Sequence, residues 1–237
     1  MTESGPLADA GFATFAKDLV LFCHPESEAK TAKHQGLAKR KGVTGLPGIA
    51  FLDAAGEVIV QVPPAVHSLA RFEHYAQRAR QFLQLRAAAA AGDPRAAAAL
   101  LIAQVEERQL DHAAATRHRS QLAGETAAER ARLDELLLDL RLSTAITAAG
   151  SDTAARRELG RQYLALLATD SRPSPAVSRG FWFVILEHCE AAGDVEGFAV
   201  GLAGLRRNVE LTSGGAEWGT RLLADHEAKL ARLRARK

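Results

Sequence analysis

Cys23 and Cys189 are the only thiols in this chain of 237 residues, and a thiolate is the strongest nucleophile the sequence offers. Cys23 stands in Cys23-His24-Pro25-Glu26, directly after the apolar run Leu19-Val20-Leu21-Phe22. A helix beginning near Glu26 would favour thiolate over thiol at Cys23, and a protonated His24 would add positive charge. The competing reading makes Cys23 a small apolar residue at a strand end. Eight histidines invite a search for metal ligands. His67 and His74 are seven apart, His112 and His118 six apart, and the adjacent His188 and Cys189 point to different faces of a helix. None of these is the i, i+4 pair of a helical zinc site, and no HExxH occurs, so no metal is expected. No phosphate-binding glycine loop and no G-x-S-x-G are present, and no cofactor is expected.

Charge narrows the partners. The balance of 30 basic against 28 acidic side chains leaves a net charge of +2, too small to imply nucleic acid or an anionic membrane. No apolar run approaches the roughly 20 residues that cross a bilayer. The opening residues, MTESGPLADAGFATFAKD, lack a basic region and a continuous apolar core, so no secretory signal is read there and the expected compartment is the cytoplasm. Both thiols would then be reduced.

The elements that must position these residues fall into two textures, 1–86 and 87–237. In the first, Leu19–Phe22 reads as a buried strand and 26–41 as a polar surface helix stopped by Gly42. Ile49–Leu52 and Glu57–Val62 are strand candidates joined by the turn Asp53-Ala54-Ala55-Gly56. Ser68 then precedes Leu69, Phe72, Ala76, Ala79, Phe82 and Leu83 at helical spacing, giving the order β-α-β-β-α.

From Ala87 onward no β-alternation remains. The phrase Ala-Ala-Gly-Asp recurs at 90–93, 148–152 (with Ser151 inserted) and 191–194. Glycine can close one helix in the left-handed region and aspartate can cap the next. Helices are expected at 94–107, 111–122, 126–149, 152–169, 174–192, 194–211 and 215–235, as stacked antiparallel pairs resembling tetratricopeptide-type arrays. Within them, Phe181, Trp182, Phe183, Ile185, Leu186 and Cys189 have the spacing of a buried helix. Arg206-Arg207 and the cationic tail Lys229–Lys237 read as solvated helix ends. The expected fold class is α+β, mostly helical.

Residues 42–62, with the turn Gly45-Leu46-Pro47-Gly48, the apolar strand and the Asp53–Gly56 hairpin, resemble the C-terminal half of a thioredoxin-like domain, and 68–86 resemble its last helix. The resemblance implies a cis peptide bond before Pro47. The threonine usual after that proline is Gly48 here. The helical remainder is similar to arrays that follow thioredoxin-like domains in some bacterial proteins.

Thioredoxin catalysis requires Cys-x-x-Cys, which this chain lacks. One alignment places Leu19–Phe22 at the third strand and expects the redox half to precede Met1. A second makes Leu19–Phe22 the central strand, with Cys23 facing Pro47 and Glu26 where the resolving thiol would stand. The candidate site is therefore Cys23 with His24 and Pro47. The expected function is a redox-inactive thioredoxin-like module, 1–86, fused to a helical array, 87–237, that binds a protein or peptide partner. The alternatives are a single-cysteine thiol-disulfide oxidoreductase using Cys23, or a fragment of a longer oxidoreductase of that family.

Overall fold

The computed structural model describes residues 6–23, 36–43, 48–63, 68–169, 171–213 and 217–236. The protein is mostly helical, 74%, with one small antiparallel sheet among the described residues. In chain order the elements are the short helices α1 (Phe12–Phe15) and α2 (Leu37–Arg40), then strands β1 (Ile49–Leu52) and β2 (Val58–Val62), then α3 (Leu69–Ala90) and α4 (Pro94–Glu106). They continue with α5 (His112–Ser120), α6 (Ala127–Ala149), α7 (Thr153–Leu166), α8 (Pro175–Ala192), α9 (Val195–Ser213) and α10 (Glu217–Ala235). Contacts divide the chain into two compact units, 1–109 with 122–125, and 110–121 with 126–237.

The first unit is built on the hairpin. Ile49 pairs with Val62, Ala50 with Gln61, Phe51 with Val60, and a bulge after Phe51 sets Leu52 opposite Val58. The turn forms because Asp53 satisfies it: its Oδ1 accepts from the backbone N–H of Ala55 and of Glu57, both at 2.9 Å. Gly56 takes φ +77°, where a side chain would be strained. Arg86 of α3 closes the turn from outside, its Nη1 donating to Asp53 Oδ2 at 2.8 Å. The helix α3 lays Phe72, Ala76, Ala79 and Phe82 inward. Val60 and Ile59 pack with Ala79 and Phe82, and Val62 packs with Phe72.

The outer edge of β2 is sealed by side chains. Gln109 Nε2 donates to the carbonyl oxygens of Ile59 at 2.8 Å and Val58 at 3.3 Å, and the backbone N–H of Gln61 acts on the Glu107 carboxylate. Burial pushes the Glu107 carboxyl above its ordinary pKa, while its hydrogen bond from Arg78 pulls the other way.

One expectation fails here. Leu19–Phe22 is not a buried strand: it lies outside helix and sheet, with Val20 98% and Phe22 71% exposed. An apolar run becomes a strand only where a neighbouring strand pairs with it, and among the described residues the sheet consists of β1 and β2. The order β-α-β-β-α is thus not seen among the described residues. Of the helix expected at 26–41 only α2 is described, closed by Gly42 at φ +65°; residues 24–35 lie outside the description.

The second unit is a succession of helices around α8. Phe181, Val184, Ile185 and Cys189 of α8 are fully buried, together with Phe198 and Leu205 of α9 and Leu133 of α6. The helices run antiparallel in close register. Against α9, Cys189 lies by Gly197, Leu186 by Gly201 and Trp182 by Gly204. Against α7, Arg156 pairs with Glu187, Gly160 lies under Val184, and the Tyr163 ring stacks on Phe181 at 5.1 Å.

Glycine decides two of these approaches. A Cβ on Gly160 would sit 2.0 Å from the Val184 carbonyl oxygen, and one on Gly204 would sit 2.3 Å from the Trp182 indole. At the recurring Ala-Ala-Gly-Asp joints the aspartates cap as read: Asp93, Asp152 and Asp194 accept backbone N–H groups at the start of α4, α7 and α9. Gly193 closes α8 in the left-handed region, at φ +67° and ψ 19°, whereas Gly150 departs from the expectation, with φ +50° but ψ −122°.

Candidate functional site

Cys23 is an exposed free thiol at the end of the irregular segment 19–23. Its proposed companions His24 and Pro47, together with Pro25 and Glu26, lie outside the described residues, as does the Leu46–Pro47 bond. The second thiol is chemically unlike the first. Cys189 is buried in α8 against α9, and its pKa is pushed up to about 12, by burial first and then by the Asp194 carboxylate. Its Sγ lies 3.9 Å from Asp194 Oδ2. A thiol so placed stays protonated and shielded, so it neither attacks nor resolves a mixed disulfide at neutral pH.

Of the other residues singled out from the sequence, His67 and Lys237 lie outside the described residues, and the aromatic cluster of α8 resolves into packing. Phe181, Trp182, Ile185 and Leu186 are core, as their spacing indicates, with Trp182 edge-on to Phe181 at 4.9 Å. The Tyr163 hydroxyl donates to the Leu142 carbonyl at 3.1 Å, and burial pushes its pKa up to about 12. Two of the cations read as solvated helix ends reach carboxylates on neighbouring helices: Lys229 meets Glu190 at 2.7 Å and Arg206 meets Glu227 at 2.5 Å. Among the described residues no group of three or more His, Cys, Asp or Glu side chains could hold a metal ion, and no helix is long and apolar enough to cross a membrane.

Two concavities in the second unit escaped the sequence reading. One, of about 480 Å³, is polar and lies between the start of α7 and the end of α8, where Arg156 grips Glu187 through two hydrogen bonds of 2.7 and 2.6 Å with Arg157 beside it. The other, of about 300 Å³, runs between α9 and α10 over Ala199, Leu202, Ala203, Leu230 and Ala231, rimmed by Arg206, Glu227 and Arg234. Small apolar residues at helical spacing on both helices were the available signal, but it requires knowing that α9 and α10 face each other. Neither lining contains a cysteine or a histidine. No family model, no curated protein and no solved structure matches this chain.

Proposed function

We propose that this chain is a redox-inactive thioredoxin-like module joined to a helical array that binds a protein or peptide partner. The observation that carries the redox half is the state of Cys189: with that thiol buried and protonated, Cys23 has no second sulfur in the chain to complete dithiol exchange. The hairpin β1–β2 leading into α3, with Asp53 and Gly56 in its turn, is in keeping with the C-terminal half of a thioredoxin-like domain. The shallow groove between α9 and α10, apolar along its floor and charged at its rim, has the character of a peptide-binding surface.

Insulin reduction, run with dithiothreitol and separately with glutathione, tests this reading on the native chain and on Cys23→Ser. Equal background rates are expected. A second reading has one observation in its favour, the exposure of Cys23: an accessible thiol can work alone if glutathione resolves its mixed disulfide. A glutathione-dependent rate that vanishes in Cys23→Ser would replace the binding module with that enzyme.

A further inference from the structure

The floor of the groove between α9 and α10 limits what can lie in it. Leu202 and Leu230 are buried there, Ala199 is half-buried, and Ala203 and Ala231 are exposed. All five stand well inside Val195–Ser213 or Glu217–Ala235, so their backbone N–H and C=O groups are bonded within their own helices. The floor therefore offers apolar surface and no main-chain partner. An extended chain would turn some of its peptide groups against that floor unanswered, whereas a helix brings its own hydrogen bonds.

Size and charge narrow the occupant further. From Ala199 to Arg206 on α9, and from Glu227 to Arg234 on α10, the groove follows about two turns of each helix, roughly 10 Å. Two turns of a third helix present three anchors, at i, i+3 or i+4, and i+7. With alanine on both sides, the space of about 300 Å³ is left to side chains that the occupant must supply. The rim carries Arg206 and Arg234 against Glu227, and Arg206 and Glu227 neutralise each other at 2.5 Å. The net charge of the rim is thus that of the Arg234 guanidinium, which is exposed.

We propose that this groove receives an amphipathic α-helix of a partner protein, which seats apolar residues at i, i+3 or i+4, and i+7 on the alanine and leucine floor and sets a carboxylate beside Arg234. The inference rests on the binding function proposed above and specifies the partner's chemistry. A carboxylate can meet a guanidinium through two parallel hydrogen bonds, which fixes the helix in position along the groove. The apolar anchors supply most of the affinity, and the ion pair selects the partner.

Fluorescence anisotropy of labelled peptides, titrated with the full chain, tests this. The probe is an alanine-based peptide of about 18 residues, long enough to be helical alone, with leucine at i, i+4 and i+7 and glutamate one turn before and one turn after them. A second peptide carries proline at its centre, which breaks the helix, and a third has lysine for both glutamates. Ala203→Gln lays a longer polar side chain on the floor, and Arg234→Glu reverses the rim; both positions are exposed, and far-UV circular dichroism checks that the variants fold. The native chain is expected to bind the glutamate peptide at about 10–100 μM, and the proline and lysine peptides at least about tenfold more weakly. Ala203→Gln should lose about tenfold for the glutamate peptide, and Arg234→Glu should prefer the lysine peptide. A proline peptide bound as tightly as the helical one leaves a peptide groove but overturns the helical partner. Equal binding of glutamate and lysine peptides by the native chain overturns the charge selection, and with it the proposal. A native dimer that Ala203→Gln dissociates places a second copy in the groove and overturns it as well. Failure of every peptide to bind overturns both this inference and the binding role of the groove on which it rests.

Discussion

Replacing Gly160 with alanine tests the packing of the second unit most directly. On an open helix face the change would stabilise by about 1 kcal/mol, because glycine is the poorer helix former. In α7 the new Cβ meets the Val184 carbonyl oxygen at 2.0 Å and the His188 Cβ at 2.6 Å. Carbon atoms rest at about 3.5–4.0 Å, so α7 and α8 must part by more than 1 Å. The obstacle is backbone, which no rotamer change relieves. Parting the helices loosens the Tyr163–Phe181 stack and the Arg156–Glu187 pair together. Overpacking of this kind costs about 1–3 kcal/mol, and more when nothing yields. Against the propensity gain, a net loss of about 2 kcal/mol is expected, lowering Tm by roughly 6–10 °C for a unit of this size. Both tryptophans of the chain, Trp182 and Trp218, belong to the second unit, so their fluorescence on heating or in urea follows it selectively. Gly201→Ala is the comparison: its nearest neighbours are side-chain rather than backbone atoms, of Ile185 and Leu186 at 3.1–3.3 Å, which need shift by only a few tenths of an ångström, and a change within about 1 kcal/mol is expected. A Gly160→Ala protein as stable as the native chain, or more so, would refute the reasoning.

Other outcomes follow from single contacts. Asp93→Ala removes the acceptor for the Arg95 and Ala96 amides at the start of α4 and should cost about 1 kcal/mol in urea denaturation, with Asp93→Asn nearly neutral. Glu158, held by Arg161 and Gln162, has its pKa lowered to about 2; its contribution to stability is present above the ordinary carboxylate value and fades as the pH falls toward 2. Carboxyl NMR titration should find that low midpoint in the native protein and a rise toward the ordinary value in Arg161→Gln. Iodoacetamide at pH 8 should modify Cys23 rapidly and Cys189 only after denaturation, so equal native rates followed by mass spectrometry would contradict the burial of Cys189.

What the sequence disclosed was what short-range chemistry determines. Asp53 and Gly56 specify their turn from within four residues, and the glycine-aspartate joints at 92–93 and 193–194 specify helix ends the same way. Cys189 could be read as buried from its spacing behind Phe181 and Ile185. Leu19–Phe22 misled because apolar character gives a strand its surface but not its neighbour. The sealing of β2 by Gln109 joins residues about fifty apart, and no local pattern announces it. Gly160 and Gly204 look like weak points of a helix in sequence; at each of them α8 fills the space a side chain would need, which only the partner helix reveals. For the candidate site, the contrast between the two thiols was partly legible, whereas the grooves depend on which helices face each other.

The order in which α6, α7, α8, α9 and α10 pack has a bearing on how the second unit acquires its structure. From α7 to α10 each helix packs closely against the next, across joints as short as Gly193-Asp194. The loops that must close are brief, so the entropy lost before the first rewarding contact is small. Arrangements dominated by such nearby pairings fold within about microseconds to milliseconds. During synthesis α7 and α8 can engage before α10 has been made, which leaves the most apolar helix uncovered only briefly.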